Sequence, residues 1–270
     1  MESNNKEPRD PMIQVRELTV GYNGLPVLER ISFEVRRGDV FAILGESGCG
    51  KSTLLKHMMG LYPPLAGQIV IDAHDLTAAV GAERRRLMSH FGVMYQSGAL
   101  FGTFSLLENV RLPLEELTRL PLEAMDRIAE HKLQLVGLGS AISRLPSEIS
   151  GGMIKRAAIA RAMVMDPAVL FLDEPSAGLD PVTASELDDL VLRLARDLGM
   201  TFVMVTHELA SIFKVADRVI MLDKTTQGIV AEGQPQALRE SSTHPGVRRF
   251  FNRESNRRSH HDPWTPARIG

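Results

Sequence analysis

The 270-residue chain is 44% hydrophobic and carries 33 acidic against 31 basic side chains, a formal net charge of -2. That balance excludes the basic excess of a nucleic-acid binder and supplies apolar material for one large or two modest packed domains. A single cysteine excludes an intrachain disulfide framework, the N-terminus MESNNKEPRD lacks the apolar segment of a secretory signal, and no apolar run approaches the roughly 18 residues of a membrane span. The expectation is a cytosolic chain that works at a membrane only if another chain crosses it.

Short apolar runs recur between helical patterns: DVFAILG (39–45), QIVID (68–72), FGVMYQ (91–96), AVLFLDE (168–174), TFVMVTH (201–207) and RVIMLD (218–223). Their continuous apolarity, without alternation, predicts strands covered on both faces, in a mainly parallel sheet of an α/β core. From Gln96 to about Pro167 the pattern changes and predicts an inserted helical subdomain. Ser105 and Glu108 fit a capping box, and Met125, Ile128, Ala129, Lys132 and Val136 follow helical spacing up to Gly137. Asp180 and Pro181 fit an N-cap and first helical position, after which Leu187, Leu190, Val191, Leu194 and Leu198 run to a stop at Gly199. From about Glu240 the composition turns to Arg, Ser and Pro. This predicts a tail whose basic run is solvated in the ordinary reading.

Residues 45–53 read GESGCGKST between a predicted strand and a helix ending near Gly60. This is a complete G-x-x-x-x-G-K-[ST] phosphate loop. Gly45, Glu46, Ser47, Gly48, Cys49 and Gly50 offer backbone amides to the phosphates of ATP, Lys51 a mobile charge, and Ser52, with Thr53 beside it, a hydroxyl for Mg²⁺. Cys49 reads as a small filler rather than a redox switch, although amides at a helix N-terminus can lower a thiol's pKa. Asp173 and Glu174 end the strand AVLFLDE; beside such a loop the first can hold Mg²⁺ through water and the second can deprotonate attacking water. His207 ends another strand, within reach of a γ-phosphate.

A second anion site follows a hundred residues later. In LPSEISGGMIKRAAIARAMV (145–164), Ser150, Gly151 and Gly152 open a basic, alanine-rich helix, the arrangement by which helix N-termini bind anions. Composition alone does not explain why one chain would carry two phosphate sites.

The ordered set GESGCGKST, Gln96, ISGGM, VLFLDEP, SAGLD and THE resembles the ATP-binding cassette ATPases over roughly residues 12–240. The resemblance implies an α/β P-loop NTPase core with a helical subdomain at about 97–167, an N-terminal tail at 1–11 and a C-terminal extension at 241–270. It also implies that Ser150, Gly151 and Gly152 close over ATP held by Lys51 of a second copy, in a head-to-tail homodimer. On the same grounds Tyr22 would stack on adenine, Gln96 would sense Mg²⁺ and water, Asp180 would communicate across the dimer, Glu174 would be the base and His207 the γ-phosphate sensor. Met153 departs from the family pattern, which often has Gln there, and Ile149 replaces the usual Leu.

QSGALF, ENVRLPLEE and LPSEISGGMIKRAAIARAM further resemble the ATP-binding subunits of bacterial intermembrane phospholipid transport systems of the lipid-asymmetry type. That narrower resemblance implies a place on the cytoplasmic face of the inner membrane. Partners would be a multi-spanning permease, a small cytosolic STAS-type protein and a periplasmic lipid-binding protein, with no nucleic acid. Leu100, Phe101, Phe104, Leu106, Leu107 and Val110 offer apolar surface that either receives a permease helix or packs the subdomain. Phe250, Phe251 and Trp264, among arginines, suit either docking on another protein or a disordered tail. The alternatives are the ATPase of a small-solute importer and a soluble mechanochemical ATPase acting on ribosomes or DNA.

Overall fold

The computed structural model describes residues 10–252. The chain begins with three strands, β1 (Pro11–Tyr22), β2 (Leu25–Arg36) and β3 (Val40–Gly45), followed by helix α1 (Lys51–Met58). Strands β4 (Ala66–Ile71) and β5 (His74–Asp75), helix α2 (Gly81–Met88) and strand β6 (Phe91–Met94) come next. Helices α3 (Leu106–Leu117), α4 (Leu122–Leu135) and α5 (Gly151–Ala162) follow, in the region where the strand pattern lapses. Strand β7 (Val169–Asp173), helix α6 (Pro181–Leu198), strand β8 (Thr201–Val205) and helix α7 (Leu209–Val215) restore the α/β alternation. The described chain closes with β9 (Arg218–Asp223), β10 (Gly228–Gly233), α8 (Pro235–Ser241) and α9 (Pro245–Phe251). No helix among the described residues is long and apolar enough to cross a membrane.

The strands form two sheets. Five of the six predicted runs lie in one six-stranded sheet, ordered β10-β9-β3-β8-β7-β6 and parallel except for the β9–β10 hairpin. Its strands are apolar throughout because both faces are covered, and alternate residues serve different cores. Phe41, Ile43, Phe171, Val203 and Ile220 pack towards β1, β2, β4 and α1, whereas Ala42, Leu44, Leu170, Leu172, Met204 and Met221 pack towards the helices.

The sixth run corrects the expectation. Residues 68–71 fall in β4, in a separate antiparallel sheet ordered β2-β1-β4-β5, because their neighbour is β1 and not a core strand. The long strands β1 and β2 of this sheet were not predicted. Their alternation is broken by shifts of register between Val15 and Leu18 and between Leu18 and Val20, near left-handed residues Glu17 (φ 44°) and Arg30 (φ 45°).

Helix boundaries follow local chemistry. The Ser105 hydroxyl accepts from Glu108 N at 3.2 Å while the Glu108 carboxylate accepts from Ser105 N at 2.7 Å, the reciprocal cap predicted for α3. Asp180 caps α6, accepting from Val182 N at 3.0 Å and Thr183 N at 3.1 Å. In the apolar stretch after Gln96 the two readings divide by residue: Leu106 and Val110 are buried in the subdomain core, while Phe101 and Phe104 are 51% and 36% exposed. Asn109, fully buried, shapes their loop, accepting from Phe101 N at 2.7 Å and donating to the carbonyls of Phe101 and Phe104 at 3.0 Å.

The C-terminal aromatics also divide. Phe250 and Phe251 are 1% and 3% exposed and belong to the chain's own helical core, with Phe251 5.6 Å from the Phe213 ring of α7. They close this fold and are not free to anchor on another surface, whereas Trp264 lies outside the described residues. Phe250→Ala is expected to destabilise the isolated chain by about 3 kcal/mol, read from a denaturant midpoint. A residue used only for docking would leave that midpoint unchanged.

Candidate functional site

β3 ends at Gly45 and α1 begins at Lys51, so the intervening loop is the strand-to-helix turn that a phosphate cradle requires. Gly45 has φ 146°, and a Cβ there would stand 2.6 Å from Leu222 O and 2.5 Å from Cys49 Sγ. Only glycine lets the loop leave the sheet against β9. Lys51 arches back over the loop, its Nζ donating to Gly45 O at 2.9 Å and Glu46 O at 3.0 Å. Its ammonium is thus held at the mouth of the cradle.

Together with Ser47, Gly48, Gly50, Ser52 and Thr53 the loop walls a cavity of about 720 Å³. The facing residues come from the ends of adjacent strands: Gln96 after β6, Asp173 and Glu174 at the end of β7, and His207 after β8. Parallel strands place such residues at one edge because all their carboxyl ends lie there. Eleven of the residues singled out from the motifs, spread over 163 positions of sequence, therefore line one cavity, joined by Val27 of β2, which sequence reasoning missed along with its strand.

The two carboxylates at the end of β7 sit differently in the cavity wall. Burial and the neighbouring Glu174 push the Asp173 carboxyl up from its ordinary value, with Lys56, Lys155 and Lys51 opposing. Glu174 takes a left-handed backbone (φ 48°), its N–H donating to Val205 O at 2.9 Å. His207 Nδ1 stands 2.9 Å from both Glu174 oxygens, with hydrogen-bond geometry towards Oε1 only. The buried Oε2, though in ion-pair reach of the same nitrogen, makes no hydrogen bond to the protein. A carboxylate oriented by an imidazole, with one oxygen outside any hydrogen bond, can accept a proton from water.

The thiol of Cys49 is 2% exposed, and burial pushes it up against the opposing pull of Lys51. Such a thiol is a poor nucleophile and fits the reading of Cys49 as filler beneath the loop. Tyr22 does not line the cavity; half-buried at the end of β1, its ring lies edge-on to Tyr62 at 5.1 Å and tilted to His57 at 5.8 Å.

The segment expected to form a second anion site lies apart from this cavity. Ser150 caps α5, its hydroxyl accepting from Met153 N at 3.3 Å, and neither it nor Gly151 or Gly152 lines the Lys51 cavity. A Cβ on Gly152 would run into Thr183 of α6, so the N-termini of α5 and α6, with their caps Ser150 and Asp180, lie together. The hydrogen bond from Thr183 chiefly holds the Asp180 carboxyl low. Met153 and Ile149, which depart from the family pattern, are partly buried against the helical core. A polar amide at 153 would therefore face apolar packing.

The sequence model of the family described as ABC transporter matches residues 28–177. A relative named "Probable ribonucleotide transport ATP-binding protein mkl", from Mycobacterium leprae, is 38% identical over 245 residues, 91% of this chain and 70% of its own. "Intermembrane phospholipid transport system ATP-binding protein MlaF" from Haemophilus influenzae is 36% identical over 230 residues, 85% of this chain and 86% of its own. Among solved structures, the ATP-binding cassette MJ0796, a dimer in a post-hydrolysis state with ADP and Pi, superposes with a TM-score of 0.74 at 27% identity, over 83% of this chain and 98% of its own. The phosphate cradle, the carboxylate pair at the end of β7 and these likenesses all lead to one assignment: the chain belongs to the ABC transporter family, as an ATP-hydrolysing cassette.

Proposed function

We propose that this cassette powers phospholipid movement between the inner and outer membranes of a bacterial envelope, bound to the cytoplasmic face of the inner membrane. The observation that carries this reading is the match to MlaF of Haemophilus influenzae along 86% of that protein's length, in line with the QSGALF and ENVRLPLEE wording. Its partners would be a multi-spanning permease, for which the exposed Phe101 and Phe104 offer a docking face, a STAS-type cytosolic protein and a periplasmic lipid-binding protein.

In the working assembly two copies pair head to tail. ATP lies on Lys51 and the loop amides of one copy, and Ser150, Gly151 and Gly152 of the partner subunit close over its γ-phosphate. Ser52, Gln96 and Asp173 line the same cavity and form a hard oxygen donor set that would hold Mg²⁺, which when bound would supply positive charge against the phosphates. Glu174 takes the proton of the attacking water through Oε2, while His207 orients that carboxylate.

A second reading has its own support. The relative mkl carries a ribonucleotide-transport name at 38% identity, which favours a small-solute cargo on the same catalytic machinery. Native mass spectrometry of the chain extracted with its membrane partners separates the two. Two copies with a permease, a small cytosolic partner and retained phospholipid support the lipid reading. A solute permease without lipid moves the function to the second, and recovery with ribosomes or DNA alone would refute both.

A further inference from the structure

We propose that Lys155 is a positioning residue for ATP hydrolysis, a buried ammonium that ties the main chain of Gln96 to that of Glu174 and holds the two site segments at a set separation. The proposal rests on the roles given above to Gln96 and Glu174.

Lys155 lies in the second turn of α5 and is only 6% exposed. Lysines are seldom buried unless their ammonium is hydrogen-bonded. Here Nζ donates to Gln96 O and stands 3.5 Å from Glu174 O. Both acceptors are main-chain carbonyls, so the contact fixes the path of each segment and leaves both side chains free to act.

The rest of the Gln96 segment is fastened to the same helix. Arg161, on the next turns of α5, donates to Ala99 O at 2.7 Å and Gly98 O at 2.9 Å. Gly98 has φ 76°, and a Cβ there would stand 2.8 Å from Ile154 Cγ2 of α5. Residues 96–99 therefore ride on α5. Glu174, by contrast, is fastened to the sheet through its N–H to Val205 O. Lys155 spans the join between these two bodies.

The same helix starts at Ser150, five residues earlier, which is about 7.5 Å along the axis. A γ-phosphate bound at that N-terminus would load a rigid rod whose second turn holds Gln96 and Glu174. Lys155 thus links closure at the second anion site to alignment of the base and the Mg²⁺ side of the cavity.

The test uses the full-length chain assembled with its membrane partners, comparing Lys155→Met, Lys155→Arg and Glu174→Gln. Lys132→Met serves as a control, since Lys132 is another buried lysine of the subdomain, paired with Asp166 and not with the site. Lys155→Met is expected to lower kcat about ten- to a hundredfold, the scale of a small misplacement of reacting groups. ATP affinity, measured with a fluorescent nucleotide, should change by less than about threefold. The Mg²⁺ concentration giving half-maximal rate should rise. Lys155→Arg, which keeps donors for both carbonyls, should recover most of the rate, and Lys132→Met should lower the melting temperature without raising the Mg²⁺ requirement. Wild-type kcat in Lys155→Met beside an inactive Glu174→Gln would overturn this proposal alone. So would losses of rate, affinity and melting temperature in the proportions seen for Lys132→Met. Normal turnover by Glu174→Gln would overturn the base assignment and this proposal together.

Discussion

Glu174→Gln is expected to bind ATP with wild-type affinity, to turn over about 10²- to 10⁴-fold more slowly, and to accumulate as an ATP-bound dimer. The substitution is isosteric, so the amide oxygen can keep the 2.9 Å contact to His207 Nδ1 and the fold is not disturbed. What it removes is one carboxylate oxygen, and with it the proposed proton acceptor Oε2, which makes no hydrogen bond to the protein. Loss of a proton acceptor slows the chemical step and leaves binding alone, so the fall appears in kcat and not in ATP affinity. Phosphate release in a single turnover, with gel filtration in ATP, measures both halves. Turnover within a few-fold of wild type would reassign the base, with Asp173 the next carboxylate in the cavity.

The parts of this molecule legible from sequence are those specified by local chemistry. The phosphate loop, the caps Ser105, Ser150 and Asp180, and the fully covered strands β3, β6, β7, β8 and β9 each follow from residues adjacent in the chain. The antiparallel sheet was hidden because its half-buried strands need strict alternation to be seen, and bulges in β1 interrupt it at the left-handed Glu17. The run at 68–71 reads as a core strand for a related reason: apolarity marks a strand, and only pairing, here with β1, says which sheet owns it. Phe250 and Phe251 mislead because arginines flank them in sequence, while the helix α9 turns both rings inward, Phe251 against Phe213, and Arg248 and Arg249 outward. Lys155 was invisible on similar grounds. In MIKRAAIARA it reads as one more basic surface residue, and its value lies in two carbonyls 59 and 19 positions away.

Ser150→Arg, placed in the Glu174→Gln background, is expected to abolish the ATP-dependent dimer while each chain still binds ATP as a monomer. Ser150 caps α5, beside the cap of α6, and lies outside the cavity that holds Lys51, so the large side chain cannot reach the ATP of its own chain by occupying that cavity. It would instead fill the space over the α5 N-terminus where a γ-phosphate held by a second copy must sit, if the two copies pair head to tail. Removing the serine also deletes a helix cap, worth about 1 kcal/mol, so Ser150→Ala is the matched control for lost capping without added bulk. Nucleotide binding by fluorescence and mass by light scattering, with and without ATP, read the two effects separately. Dimers that persist in the Ser150→Arg chain would mean that the second anion site serves something other than a partner's ATP. Loss of ATP binding by the monomer would mean that it serves its own. Monomers with intact binding are the one outcome in which two phosphate sites in one chain make a single working site between two.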